Sequence, residues 1–156
     1  MNKEKIAFIP RQYLAVIAVL LAIMMSVLDG TIMNIALPTL AHDFDVTPST
    51  AIWIVNAYQL VITMTLLSFA SLGDIYGYRR IFLIGISIFV GASLACTLST
   101  SFWMLTAARV IQGFGAACVM SVNTALIRLI YPPQILGRGM GVNAMVVAVS
   151  AAAGPS

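Results

Sequence analysis

The chain has 156 residues, of which 61% are hydrophobic and only 8% are charged. Soluble domains average about 45–50% apolar and about 25% charged residues. The composition therefore excludes a water-soluble domain, a disordered tail, a disulfide-rich secreted module and a nucleic-acid-binding protein. A membrane-spanning helix needs about 20 mostly apolar residues, so the chain holds five spans at most. Because the last residues lie within an apolar segment, we expect a piece of a longer protein.

Apolar runs separated by short polar segments predict an all-α membrane protein with four complete transmembrane helices and the start of a fifth. The predicted helices cover residues 12–38, 51–72, 81–98, 102–127 and 139–156, and residues 73–80 form a polar inner loop. The first run is interpreted as an uncleaved span rather than a signal peptide. Asp29 and Asn34 stand where the small residues of a cleavage site would be expected.

The start of the fourth helix has two interpretations, which place Arg109 differently. In the first, residues 99–101 form a turn and the helix begins at Phe102, so Arg109 lies inside the membrane. In the second, residues 99–109 form an outer loop and the helix begins at Val110. We favour the first, because the second leaves the only outward-facing arginine of the chain, against the usual excess of basic residues on the cytoplasmic side.

The remaining basic residues lie at the ends of alternate predicted helices. They are Lys3, Lys5, Arg11, Arg79, Arg80, Arg128 and Arg138. If the spans alternate in direction, all of them lie on one side of the membrane. Because lysine and arginine in short loops mark the cytoplasmic side, the pattern predicts a cytoplasmic N-terminus. The net charge of +3 is thus explained by topology, and no nucleic-acid partner is expected.

Two charged residues, Asp29 and Arg109, fall inside predicted spans, where a central charge costs about 2.5–3.5 kcal/mol on insertion scales. From the helix rise, Asp29 lies about 13 Å below Pro38 and Arg109 about 10 Å below Phe102. Opposite charges at similar depth can offset each other's desolvation. The pair is either a buried salt bridge that fixes helix packing or a titratable acid near a fixed positive charge on a substrate pathway.

Uncharged polar residues in the spans either line the same pathway or form hydrogen bonds between helices. The four singled out here are Asn34, Gln59, Gln112 and Asn123. Cys96 and Cys118 lack a CxxC spacing and are predicted to be small buried hydrophobic residues. We expect no enzyme and no metal site, because the sequence has no His/Cys/carboxylate cluster, no GxSxG and no phosphate loop.

Four segments resemble motifs of the fourteen-helix drug:proton antiporters, a branch of the major facilitator superfamily. They are residues 28–38 (LDGTIMNIALP), 72–80 (LGDIYGYRR), 105–117 (LTAARVIQGFGAA), and Gly141 followed by Gly154-Pro155. The motifs occur in the order of the family and cover the whole chain. The resemblance therefore implies the N-terminal part of a major facilitator superfamily helical bundle, with Arg109 inside the membrane.

The resemblance also implies roles for the matched residues. Arg109 is associated with proton coupling, and Asp29 with the same coupling or with substrate passage. Asn34 and Gln112, expected on this pathway as polar residues within spans, lie inside the matched motifs. The inner loop, whose aspartate helps to lock the outward-open state, contains Gly73, Asp74, Gly77, Arg79 and Arg80.

Small residues of the motifs in the fourth and fifth helices are implied to serve helix packing and antiport. Gly113 and Gly115 let helix backbones approach each other. Gly154 and Pro155 lie where the two halves of such a transporter meet and favour antiport over symport. This chain departs from the family pattern at Ala70 and Ser150, which replace glycines, and at Ile75 and Tyr78, where arginine is common.

Together these features predict proton-coupled transport, with efflux of lipophilic or cationic drugs by antiport. We expect a multi-pass protein of a bacterial inner membrane that uses the proton gradient and no cofactor. Its expected partners are the lipid bilayer, a small-molecule substrate and C-terminal helices of the same protein, because alternating access requires two bundles. The alternatives are a small oligomeric membrane protein and a non-transporting scaffold.

Overall fold

The computed structural model describes residues 3–131 and 136–153, with side chains over 14–131 and 136–152, and this part of the chain is built from α-helices. They are α1 (Lys3–Asp43), α2 (Pro48–Tyr76), α3 (Tyr78–Thr97), α4 (Phe102–Ile130) and α5 (Leu136–Ala153). By length and composition, four segments are able to cross a membrane: Leu14–Asp43, α2, α3 and α4. The predicted all-helical fold with four complete spans is confirmed.

The helix α1 continues past Pro38, where the sequence pattern predicted its end. It runs to Asp43, and residues 44–47 alone connect it to α2. A proline inside a helix removes one backbone hydrogen bond, and here burial beyond it offsets that loss. Ala41 is buried, and Leu40 packs against the apolar cluster of Ile54 on α2 with Phe102 and Leu105 on α4.

The connection between α2 and α3 is shorter than the predicted polar loop over residues 73–80. Only Gly77 separates the two helices, with φ at +94°. Its N–H donates to the carbonyl of Gly73 at 3.0 Å, which completes the last turn of α2. Because a side chain strains the backbone at this φ, glycine is the residue that turns the chain within one position.

The helix α4 lies at the centre of the bundle and has the largest set of buried residues among the helices. Its first turn is capped by Ser101, whose Oγ accepts from the N–H of Met104 at 3.3 Å. This start at Phe102 is the one that the favoured interpretation of the sequence gives, and it places Arg109 inside α4. The structure therefore contains an arginine enclosed by apolar helices.

The outer surface of the bundle is apolar. Trp103 and Leu67 are each 78% exposed, and Met64 and Leu14 are also largely exposed. A continuous exposed apolar surface is unfavourable in water but matches the acyl chains of a bilayer. Trp103 lies in the first turn of α4, the position that an interfacial tryptophan takes.

Candidate functional site

The site is a closed ring of hydrogen bonds among Asp29, Arg109 and Gln112. Nη1 of Arg109 donates to Oδ2 of Asp29 at 2.6 Å and to Oε1 of Gln112 at 2.7 Å. Nε2 of Gln112 donates to Oδ1 of Asp29 at 3.0 Å. The first contact is also an ion pair between α1 and α4. The two charges that the sequence places inside the membrane therefore meet directly.

The orientation of the Gln112 amide follows from the chemistry of its two neighbours. Arg109 has only donors, so the amide oxygen of Gln112 must face it. The Asp29 carboxylate has only acceptors, so the amide nitrogen must face that side. Residues three apart lie on one face of an α-helix, which is how α4 presents Arg109 and Gln112 together. The amide thus holds the carboxylate against the guanidinium.

The two charges differ in their access to the surroundings. The Arg109 side chain is 0% exposed, whereas that of Asp29 is 22% exposed. Asp29 lines a cavity of about 330 Å³ between α1, α3 and α4, and Gln112 and Cys96 lie on its wall. A proton or a small molecule in this cavity therefore meets Asp29 and Gln112, and Arg109 lies behind these two side chains.

Two side chains of this site, Tyr58 and Cys96, were not predicted from the sequence. The Tyr58 ring lies with its centroid 4.2 Å from Cζ of Arg109. Cys96, predicted to be simply buried, lines the cavity, and its Sγ lies 3.5 Å from Oε1 of Gln112. The one sequence signal for Tyr58 is its helical spacing from Ala51 and Ile54, which marks the buried face of α2.

Three other polar residues of the spans are not part of the ring. Asn34 is exposed and donates to the carbonyl of Gly30 in its own helix at 3.0 Å. Gln59 is exposed on α2. Asn123 is buried, and its Nδ2 donates to Oδ1 of Asn143 at 3.0 Å. Asn123 therefore joins α4 to α5, the interhelical role that the sequence had left open.

The polar residues at the α2–α3 connection form a second, separate group. The Tyr78 hydroxyl donates to Oδ1 of Asp74 at 2.5 Å across Gly77. A Cβ on Gly73 would lie 2.9 Å from Cδ1 of Tyr78 and 2.9 Å from Cγ1 of Val122, so Gly73 leaves room for the tyrosine ring. Arg79 and Arg80 follow on the exposed side of α3.

The glycines predicted to serve packing lie at close contacts between helices. A Cβ on Gly113 would lie 3.0 Å from the carbonyl oxygen of Tyr58 on α2. A Cβ on Gly115 would lie 2.6 Å from the backbone nitrogen of Phe89 on α3. Gly154 and Pro155 lie outside the described residues, so their predicted role stays a prediction.

Comparison with known proteins places this chain among membrane transporters. The model of the Major Facilitator Superfamily matches residues 19–156. The chain is 59% identical to the uncharacterized transporter YebQ of Escherichia coli K12 over 95% of its own length and 32% of the relative. It is 34% identical to the riboflavin transporter RibZ of Clostridioides difficile, over 93% of the chain and 32% of the relative.

A further relative is the drug efflux pump JefA of Mycobacterium tuberculosis, at 38% identity over 94% of the chain and 29% of the relative. The chain thus spans about a third of the length of the curated relatives it matches. Its helical bundle and its match to the family model over residues 19–156 lead to one conclusion. The chain belongs to the Major Facilitator Superfamily of membrane transporters.

Proposed function

We propose that this chain forms the N-terminal bundle of a proton-coupled antiporter that exports lipophilic or cationic compounds across a bacterial inner membrane. The observation that carries the proposal is the unequal exposure of a bonded pair of charges. Asp29 opens onto a cavity, while its partner Arg109 is fully enclosed. The resemblance to drug:proton antiporters and the similarity to an efflux pump support the same reading.

Competition for one carboxylate gives the pair the chemistry that antiport needs. A proton on Asp29 removes its negative charge and weakens the bond to Arg109, because charge-assisted hydrogen bonds are the stronger ones. A cationic group of a substrate in the cavity also draws the carboxylate away from Arg109. Both ligands act on the same group, so binding of one opposes binding of the other.

The enclosed arginine supplies the link between protonation and conformation. With Asp29 neutral, the guanidinium keeps its charge within the bundle without its counter-ion. A buried charge that loses its partner costs about 3–5 kcal/mol, which is enough to change the balance between two conformations. Alternating access then requires a second bundle, which we place in the remainder of the longer transporter.

The test is proton-driven transport by the full-length transporter in everted membrane vesicles. We would measure accumulation of ethidium, a lipophilic cation, and of riboflavin, under an imposed pH gradient. The variants are Asp29→Asn and Arg109→Ala, with Asp43→Asn as the matched control, since Asp43 is an exposed acid at the end of the same helix. All variants are compared at equal amounts in the membrane.

We expect the Asp29 and Arg109 variants to lose gradient-dependent transport, while the Asp43 variant keeps it. Unchanged transport in the first two variants would reduce the pair to a packing contact. Transport of riboflavin but not of ethidium would contradict the proposed substrate class and leave proton coupling in place. The alternative of a non-transporting scaffold requires that the full-length protein moves neither compound.

A further inference from the structure

The enclosed side of the Arg109 guanidinium faces an aromatic ring. Tyr58 of α2 is 3% exposed, and its ring centroid lies 4.2 Å from Cζ of Arg109. A cation at this distance from an aromatic face is attracted by the ring quadrupole, and the attraction is larger where water is excluded. Arg109 is therefore held from two directions, by the Asp29 carboxylate and by the Tyr58 ring.

The hydrogen bonds of Arg109 are concentrated on one nitrogen. Nη1 donates to Asp29 and to Gln112, whereas Nε and Nη2 are buried without an acceptor among the described residues. The Tyr58 ring is thus the main contact that offsets the missing hydrogen bonds of Nε and Nη2. If Asp29 loses its charge, the contacts left to Arg109 are the neutral amide of Gln112 and this ring.

The ring, not the hydroxyl, makes this contact. The Tyr58 hydroxyl is buried and has no hydrogen-bond partner within the described part of the chain. Gly113 allows the approach, because a Cβ there would lie 3.0 Å from the Tyr58 carbonyl oxygen and 3.1 Å from Cβ of Val61. A larger residue at position 113 would push α2 away from α4 and separate the ring from the guanidinium.

We propose that Tyr58 is a positioning residue that holds the Arg109 cation in place while Asp29 is neutral. This inference rests on the proposed function for its meaning in transport. The titratable groups around Arg109 are Asp29 on α1, Tyr58 on α2 and Cys96 on α3, the last through Gln112. Asp29 and Cys96 line the cavity, and Asp29 is the carboxylate of the two.

The sign of the effect on proton coupling follows from this geometry. The ring stabilises the guanidinium whether Asp29 is charged or neutral. Its contribution is larger when Asp29 is neutral, because the carboxylate then no longer stabilises the guanidinium. Loss of the ring therefore disfavours the state with a neutral Asp29, and protonation then needs a higher proton concentration. We expect the pH midpoint of transport to move toward acid by about half to one unit, from the usual size of a cation–π contact.

The experiment compares Tyr58→Phe, which keeps the ring, with Tyr58→Leu, which removes it, in the full-length transporter. Each is made in the wild-type and in the Asp29→Asn background, where the amide imitates a neutral carboxyl. One readout is the pH profile of vesicle transport in the wild-type background. The other is the temperature of half-unfolding in detergent, which requires no transport. Phenylalanines with one, two and three ring fluorines at position 58 weaken the ring quadrupole at nearly constant size.

We expect Tyr58→Phe to behave as the wild type in both readouts. Tyr58→Leu should move the pH profile toward acid and should lower the unfolding temperature more in the Asp29→Asn background than in the wild type. The fluorinated series should move the profile progressively, and it carries the test if Tyr58→Leu does not fold.

Two results would overturn the inference. Equal loss of thermal stability in both backgrounds would make Tyr58 an ordinary packing residue. A Tyr58→Phe variant as impaired as Tyr58→Leu would assign the effect to the hydroxyl. If the wild type shows no pH-dependent transport but the unfolding temperatures follow the expected pattern, the proposed function fails while the Tyr58–Arg109 contact stands.

Discussion

Gly85 on α3 and Gly115 on α4 bring two helix backbones into direct contact. A Cβ on Gly115 would lie 2.8 Å from the carbonyl oxygen of Gly85, and a Cβ on Gly85 would lie 2.6 Å from Cβ of Cys118. Small residues at such crossings allow close packing of membrane helices. The helix that holds Arg109 is thereby fixed against its neighbour a short distance below the ion pair.

Gly115→Ala should destabilise the transporter, because the added methyl group meets backbone atoms that cannot rotate away. Overpacking of this kind costs about 1–3 kcal/mol. The matched control is Gly91→Ala on α3, where a Cβ would meet nothing within 4 Å. That variant should be neutral or stabilised by up to about 1 kcal/mol, from helix propensity. Thermal unfolding in detergent measures both, and equal effects would contradict the close crossing.

The Asp29–Arg109 pair should respond unequally to removal of its two members. Asp29→Asn leaves a fully enclosed guanidinium without its counter-ion, at a cost of about 3–5 kcal/mol. Arg109→Met leaves a carboxylate that reaches the cavity, where water can solvate it, so the loss should be smaller. The double variant should be more stable than Asp29→Asn alone. Denaturant unfolding of the four proteins gives the comparison, and additive losses would argue against an enclosed pair.

The two cysteines of the chain should differ in reactivity toward a small maleimide. Cys96 lines the cavity, whereas Cys118 is 2% exposed and packed between α3 and α4. In folded protein we expect labelling at Cys96 and its loss in Cys96→Ser, with Cys118 reacting only after local opening. Mass spectrometry of labelled peptides identifies the site. Faster labelling of Cys118 than of Cys96 would contradict this difference in access.

The predicted orientation is open to a labelling test with single cysteines in the otherwise cysteine-free transporter. Arg79→Cys probes the α2–α3 connection. Asp43→Cys probes the C-terminal end of α1, which is predicted to lie on the other side of the membrane. A membrane-impermeant maleimide should label position 43 in intact cells and position 79 only in everted vesicles, because the basic residues mark the cytoplasmic side. The reverse pattern would place the N-terminus outside.

The sequence was sufficient to identify the charged pair. An acid and a base within apolar segments are costly, so Asp29 and Arg109 stand out without any structural knowledge. Gln112 follows from its spacing of three residues on the same helix. Tyr58 could not be found this way, because a tyrosine within an apolar helix is ordinary and its contact with Arg109 depends on how two helices cross.

Helix ends were less predictable than the helices themselves. Pro38 indicated a helix end, but packing of Leu40 and Ala41 beyond it keeps α1 helical to Asp43. The polar composition around Gly77 indicated a loop, but the positive φ of that one glycine makes the turn. In both places tertiary contacts or one special backbone geometry outweighed the local pattern of residue types.

The one-residue connection at Gly77 also has a consequence for biogenesis. Because one residue joins the two spans, α3 cannot stay in water while α2 enters the membrane alone. We therefore expect α2 and α3 to enter the membrane together, as a helical hairpin whose tip carries Asp74, Arg79 and Arg80. In the predicted orientation those charged side chains lie on the cytoplasmic side, where the chain is synthesised, and we expect the turn that joins the two helices to set the direction in which they insert as well.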